Sequence, residues 1–112
     1  MKIKTSELTG AALDWAVAKC EGVETEKFAE SPSLFFGKGF DKWRPSTDWA
    51  QGGPIIEREG INIGCHLDGA EWVARNYWGE YESIGHTALV AAMRCLVASR
   101  FGDEIEIPEE LK

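Results

Sequence analysis

The sequence lacks the features that mark several large classes of protein. It contains no run of about 18 apolar residues, so we expect no helix that spans a membrane. The start of the chain, MKIKTSELTG, has no apolar core of the secretory kind, which favours a location in the cytoplasm. The three cysteines, Cys20, Cys65 and Cys95, are far apart and form no CxxC pair, so we expect reduced thiols and neither a metal site nor a cofactor.

Basic residues are also scarce. The chain has 12 Lys and Arg against 19 Asp and Glu, a net charge of −7, and its basic residues form no stripe. Residues 103–112, DEIEIPEELK, carry five carboxylates and one lysine, which is −4, and the preceding residues therefore sum to −3. Because a phosphate backbone attracts Lys and Arg, we expect no binding of nucleic acid. The 112 residues suffice for one domain, residues 1–112, with an acidic C-terminal tail at 103–112.

Two helices can be read at the ends of the chain. The first is predicted from a Ser6 cap to about Cys20 with Gly22 as its stop, and its apolar residues cover more than half of its circumference. Its acidic residues form one narrow strip, made of Glu7, Asp14 and Glu21. The last helix is predicted from Ala88 to Phe101, with Thr87 as cap and Gly102 as stop. It has a face of large and a face of small apolar residues, so we expect a sheet on one side and the first helix or a second subunit, as in a homodimer, on the other.

The middle of the chain predicts strands. Residues 23–43 suggest a hairpin-like region, with short strands at VETEKF and SLFFGK. The run INIGCHLDGAEWVARNYW predicts two strands joined by a two-residue turn at Asp68-Gly69. That turn sets Cys65 opposite Trp72, Ile63 opposite Ala74, and His66 opposite Glu71.

The stretch PSTDWAQGGPIIEREG, residues 45–60, combines a helix start with a helix breaker. Ser46 or Thr47 can cap a helix, and Asp48 suits its positive end. Pro54 cannot donate to the carbonyl of Ala50, so we expect a break at the glycines and a second helix that begins at Pro54. Such a break leaves backbone amides free, and free amides beside glycines bind anions.

Two interpretations of this stretch follow. In the first it is a site for a small anionic ligand, formed by Thr47, Asp48, Trp49, Gly52, Gly53, Ile55 and Arg58. In the second it is a kinked helix whose glycines admit a neighbouring backbone and whose Trp49 fills the core. A nucleotide-hydrolysing loop is excluded, because no Lys-Ser/Thr follows the glycines.

Two further groups of residues deserve a functional hypothesis. The loop YWGEYESIGH carries Tyr77, Trp78 and Tyr81, which suit a protein-binding surface, although Tyr77 or Trp78 can equally close the end of the core. A small hydrolase would use Asp48, Glu57 or His66, and it needs two of these groups within hydrogen-bond reach. We expect no catalytic residues, since a His beside a carboxylate, as in His66 and Glu71, is more often a weak ion pair.

Three blocks carry a resemblance to a known family: KIKTSELTGAALDWAVAKCEG, PSTDWAQGGPIIEREGI and TALVAAMRCLVASRFGDEIEIPEEL. They resemble the NinX family of tailed-phage and prophage proteins, and the pattern is more distantly similar to the phage ABA sandwich domain. The resemblance implies an α+β fold. It would be a small α/β sandwich in which an antiparallel sheet of three to four strands packs with N-terminal, middle and C-terminal helices. Residues 23–44 do not match the family pattern, and Ala88 stands where the family tends to have proline.

The resemblance implies a phage-encoded protein but supplies no activity. We therefore expect a non-enzymatic binding module in the cytoplasm of the bacterial host, with a host protein or a small anionic metabolite as partner and a role in counter-defence or host takeover. The alternatives are an acidic protein-interaction module without a ligand site, which would use the aromatic loop and the C-terminal tail, or a small hydrolase.

Overall fold

A computed structural model describes residues 1–22, 43–65 and 69–111, and in these ranges the chain forms three α-helices and five strands. They follow one another as β1 (Lys2–Lys4), α1 (Gly10–Glu21), α2 (Trp49–Glu59), β2 (Asn62–Cys65), β3 (Trp72–Arg75), β4 (Glu82–Gly85), α3 (Ala88–Phe101) and β5 (Glu104–Glu106). Short 3-10 helices occupy Thr5–Glu7 and Glu109–Leu111. The predicted α+β class is confirmed. The hairpin-like region expected at 23–43 lies, apart from its last residue, outside the described ranges.

The centre of the fold is α3, whose predicted bounds are confirmed at both ends. The Thr87 hydroxyl accepts a hydrogen bond from the Val90 amide at 3.1 Å, and the helix ends at Gly102. All three strands β2, β3 and β4 contact α3 on one side, while α1 and α2 pack on the rest of its surface.

Two residues of the small-residue face of α3 lie on the sheet side, because Ala91 approaches Gly85 of β4 and the Cys95 thiol donates to the Tyr81 carbonyl at 3.7 Å. Helix α1 also contacts α3, as predicted, and the homodimer stays a prediction. None of the helices in the described ranges is both long and apolar enough to cross a bilayer.

The start of the first helix was predicted wrongly. Ser6 lies in the 3-10 helix, and α1 begins only after Thr9, which makes no side-chain capping bond. The reason is Leu8, which is fully buried and extended and so separates the two helices. The predicted stop is confirmed, because Gly22 takes a left-handed conformation with φ of 72°.

The acidic strip predicted on the first helix does not face water as one surface. Asp14 is buried in α1, and its Oδ1 accepts the Ser46 amide at 2.8 Å. The carbonyl of Asp14 accepts the Trp43 indole N–H at 2.9 Å. Glu21 is held by an arginine of α2. Asp14 therefore holds the segment that precedes α2 against α1, and Glu21 holds α2 itself against α1.

The sheet of β2, β3 and β4 is antiparallel, and the predicted register of its first two strands is confirmed. Ile63 pairs with Ala74 and Cys65 with Trp72, whereas His66 lies outside the described residues. Strand β4 was not predicted. Its inward residues are Ser83 and Gly85 and its outward ones include Ile84, so the usual apolar alternation is reversed. Gly85 is required there, because a Cβ at that position would lie 2.6 Å from the Ala91 amide nitrogen of α3.

The C-terminal residues form part of the fold. Strand β5 pairs antiparallel with β1, with Ile105 opposite Ile3. Ile105, Ile107 and Leu111 are buried in the core, while Glu104 and Glu106 face solvent. The terminal ammonium group of Met1 donates to the Ile107 carbonyl at 2.9 Å, which fastens the two ends of the chain together. Within the predicted acidic tail, β5 is thus a strand that keeps its two carboxylates outside.

Candidate functional site

Residues 49–59 form one continuous helix, so the predicted break at Gly52–Pro54 is wrong. Helix α2 keeps Pro54 in its interior. Its cap is Asp48, whose Oδ1 accepts the Ala50 amide at 2.9 Å, and not Ser46 or Thr47, which lie in the preceding turn. The amide of Asp48 itself donates to the Arg44 carbonyl at 3.0 Å. That turn places the carboxylate of Asp48 at the helix start, where the positive end of the helix dipole favours it.

Gly52 is a packing residue of α2. Its amide donates to the Asp48 carbonyl at 2.9 Å, as in any helix, so it is not free for a ligand. A Cβ on Gly52 would lie 2.5 Å from the Pro45 carbonyl oxygen and 2.6 Å from Leu89 Cδ2. The glycine therefore admits a neighbouring backbone, as the second interpretation of this stretch expected. Gly53 differs, since a Cβ there would meet only the Trp49 ring, at 3.9 Å.

Trp49 lies on the surface at the start of α2. It is 57% exposed, so the expectation that it fills the core is wrong. Thr47 beside it is exposed, and Ile55, six residues further along, is buried. At the start of α2 the members of the predicted ligand site that reach solvent are thus Thr47, Asp48 and Trp49, whereas Arg58 is exposed at its other end.

Arg58 lies at the opposite end of α2 from Trp49, about 14 Å away along the axis at 1.5 Å per residue. Its guanidinium makes two hydrogen bonds to Glu21, at 2.8 and 2.6 Å, and a third to Glu59 at 2.9 Å. Glu59 also accepts from Arg100 at 2.9 Å. The hydrogen bonds to Glu21 and then to Glu59 raise the pKa of Arg58 above its ordinary value. The structure therefore separates Arg58 from the glycines and commits it to two carboxylates.

Tyr77 and Trp78 form an exposed aromatic pair on the turn between β3 and β4. Tyr77 is 67% and Trp78 78% exposed, and their rings meet edge to face with centroids 4.9 Å apart. The expectation that one of them closes the core is wrong. Tyr81 has that role, because it is partly buried and packs against the core.

The turn that carries this pair is held by Asn76. Its amide donates to the Tyr81 carbonyl at 3.2 Å, and its side-chain oxygen accepts the Tyr81 amide at 3.0 Å. Its carbonyl accepts the Gly79 amide at 2.9 Å. Tyr77 also lies against the end of α2, where a Cβ on Gly60 would be 3.1 Å from Tyr77 Cδ2. The aromatic pair is therefore held in place before any partner binds.

A cleft of about 210 Å³ opens beside the aromatic pair. Its floor contains Ile61 and Leu96, both buried. The other residues that line it come from the end of α2, the β3–β4 turn and the end of α3: Glu59, Asn76, Tyr77, Trp78, Glu80, Ser99 and Arg100. Sequence reasoning found the two aromatic residues but not the cleft, because the residues of α2 and α3 that line it are far from this turn in the chain.

Comparison with known families gives one match. The model of the family described as Bacteriophage P22, NinX matches residues 4–100. The chain belongs to the bacteriophage P22 NinX family. No curated protein matches the sequence. The region matched by the NinX model contains both the start of α2 and the aromatic turn, whereas β5 lies beyond it.

The acid-base residues proposed for a hydrolase do not converge in this NinX fold as far as the structure describes them. Asp48 caps α2, and Glu57 lies nine residues further along the same helix. Nine steps of about 100° place the two carboxylates on opposite sides of the helix, about 14 Å apart along its axis. His66 lies outside the described residues. No pair of these carboxylates can therefore share a substrate atom.

The cysteines of this NinX family member should differ in reactivity. Burial raises the pKa of the Cys95 thiol to about 11 and that of Cys20 to about 12, whereas Cys65 is exposed on β2. Because the thiolate is the nucleophile, we expect iodoacetamide at about pH 8 to modify Cys65 at least tenfold faster than Cys95. Peptide mass spectrometry over a time course measures this. Equal rates in the folded protein would show that α3 opens readily.

Proposed function

We propose that the protein is a non-enzymatic binding module of phage origin that holds another protein in the host cytoplasm. The observation that carries the proposal is the Tyr77–Trp78 pair, exposed on a turn that Asn76 holds by hydrogen bonds. Aromatic residues dominate the binding energy of many protein interfaces. A surface that is already ordered loses little conformational entropy on binding, so this pair is suited to act as an anchor.

A small anionic ligand at the start of α2 has less support. The Gly52 amide is taken by the Asp48 carbonyl, and Arg58 is held by Glu21 and Glu59. An anion there would meet the carboxylate of Asp48 at the helix start, with none of the predicted cations beside it. Thermal stabilisation of the protein by nucleotides or cyclic nucleotides, if abolished in Trp49→Ala, would favour this alternative.

The proposal is tested with a matched pair of tryptophan variants. A partner is captured on the wild-type protein from a lysate of the bacterial host, identified by mass spectrometry and purified, and its affinity is measured by calorimetry. We expect Trp78→Ala to weaken binding at least about tenfold, as truncation of an interface anchor does. Trp49→Ala removes an equally large exposed ring at the other end of α2 and should leave the affinity unchanged.

Two results would contradict the proposal. One is a partner that binds Trp78→Ala as tightly as the wild type. The other is an equal loss of affinity in Trp49→Ala and Trp78→Ala, which would mean that the surface of the aromatic turn has no special role. Circular dichroism and thermal melting of both variants show that either result concerns the surface and not the fold.

A further inference from the structure

We propose that the cleft beside Tyr77 and Trp78 takes one basic side chain of the partner, arginine in preference to lysine. This inference rests on the proposed protein-binding role and adds the chemistry of the segment that is bound. The size of the cleft is the first argument. At about 210 Å³ it is smaller than the roughly 300–1,000 Å³ of pockets for small molecules, and it suits a single long side chain.

The charges that line the cleft favour a cation. Two carboxylates, Glu59 and Glu80, and one guanidinium, that of Arg100, line it, which leaves a net charge of −1. Glu59 is satisfied, because it accepts hydrogen bonds from both Arg58 and Arg100. Glu80 is exposed and makes no ion pair among the described residues. The unpaired carboxylate at the mouth of the cleft is therefore Glu80, and a basic side chain would neutralise it.

The apolar and aromatic surfaces of the cleft suit the remainder of a basic side chain. Arginine and lysine bury their methylene stems against apolar surface while the charged end stays near water, and Ile61 and Leu96 supply that surface here. A guanidinium also stacks on the face of a tryptophan or tyrosine ring, which an ammonium does less well. The Ser99 hydroxyl donates to the Leu96 carbonyl at 2.7 Å, so its oxygen can still accept an N–H group of a guanidinium, whereas the Asn76 oxygen already accepts the Tyr81 amide.

The net charge of −7 supports the same class of partner. A negatively charged protein attracts basic segments over longer distances and raises their rate of association at low ionic strength. An acidic or purely apolar anchor would leave Glu80 without a counter-charge beside it. A partner segment that presents an arginine, flanked by residues small enough to pass the aromatic pair, therefore fits the cleft best.

The test uses peptides that differ only in charge. Acetyl-Gly-Arg-Gly-amide and its citrulline counterpart, which is nearly the same in shape but neutral, are titrated into nitrogen-15-labelled protein. We expect the arginine peptide to shift the amide signals of residues 76–80 and the indole signal of Trp78. The citrulline peptide should bind at least about fivefold more weakly, which is the size expected of a partly exposed charge pair with a cation–π contact.

A second matched pair assigns the charge to one carboxylate. Glu80→Gln should weaken binding of the arginine peptide about threefold or more, while Glu71→Gln, the same change at the far end of β3, should not. Equal binding of the arginine and citrulline peptides, or shifts confined to residues away from 76–80, would overturn the inference. If partner affinity falls in Trp78→Ala but not in Glu80→Gln, the protein-binding role stands and the basic anchor is wrong.

Discussion

Replacement of Arg94 by methionine is expected to lower the free energy of unfolding by about 3 kcal/mol, the sum of two charge-assisted hydrogen bonds to backbone carbonyls. Arg94 leaves α3 near its middle. Its Nε donates to the Leu8 carbonyl at 2.7 Å, and its Nη1 donates to the Ile84 carbonyl at 2.8 Å. The side chain thus joins α3 to the segment before α1 and to β4. Its burial lowers the pKa of Arg94 from the ordinary value for arginine.

The contact with Ile84 matters because β4 is an edge strand among the strands that the structure describes. The Asn76 amide donates to Tyr81, and in an antiparallel pair the hydrogen-bonded positions alternate. Ser83 and Gly85 therefore bond to β3, while the Ile84 carbonyl points away from it. Arg94 satisfies that carbonyl and covers part of an edge that would otherwise be open to another strand.

Urea denaturation of the two variants Arg94→Met and Arg75→Met tests this account. Methionine keeps much of the apolar stem, so the loss at position 94 reports the hydrogen bonds. Arg75 is also an arginine next to β4, but its partner is Glu82 in an exposed ion pair at 2.5 Å. Its loss should cost less than about 1 kcal/mol, as for other surface ion pairs. Equal costs in the two variants would show that the backbone contacts of Arg94 contribute little.

The adjacent glycines of α2 should respond to alanine by different amounts. Gly52→Ala is expected to destabilise the protein by about 2 kcal/mol, because a Cβ there would lie 2.5 Å from the Pro45 carbonyl oxygen and something must shift. Gly53→Ala should change the free energy of unfolding by less than about 1 kcal/mol. Beyond its chain neighbours its Cβ would meet nothing closer than 3.9 Å, and the better helix propensity of alanine offsets the contact of that Cβ with the Pro54 ring.

Thermal and urea unfolding of both variants measure this difference. Both substitutions make the same chemical change in the same helix, so differences in the unfolded chain cancel between them. Equal destabilisation by both would mean that the cost arises within the helix next to Pro54, and no destabilisation by Gly52→Ala would mean that the turn at Pro45 moves away freely. Either result would contradict the close packing of α2 on that turn.

The features that sequence alone determined are those whose causes lie within a few residues. Thr87 and Gly102 define α3 because a cap and a stop act on the adjacent turn of helix. The pairing of Ile63 with Ala74 was predicted from the Asp-Gly turn signal in the sequence and the alternation of side chains, and the register of β2 with β3 confirms it. The family could also be recognised from three blocks of sequence, since the matched region spans residues 4–100.

The candidate site could be predicted only in part. Tyr77 and Trp78 were identified as aromatic residues in a loop that also contains polar residues. Whether they are buried or exposed depends on the residues that pack beside them. The cleft beside them is formed by the ends of α2 and α3 and by the β3–β4 turn. Likewise, the glycines and the proline of α2 predicted a helix break, whereas α2 is continuous and packs against residues that are distant in the sequence.

Only the tertiary structure decided these points, because each depends on residues distant in sequence. Position 52 requires glycine because Leu89, which is 37 positions away, packs closely against it. Arg58 is not available to a ligand, because it is hydrogen-bonded to Glu21. In β4 the usual alternation of buried apolar and exposed polar residues is reversed, because a side chain larger than that of Gly85 would collide with α3. A local pattern states what a segment can do by itself, whereas packing determines which of its groups remain free to bind.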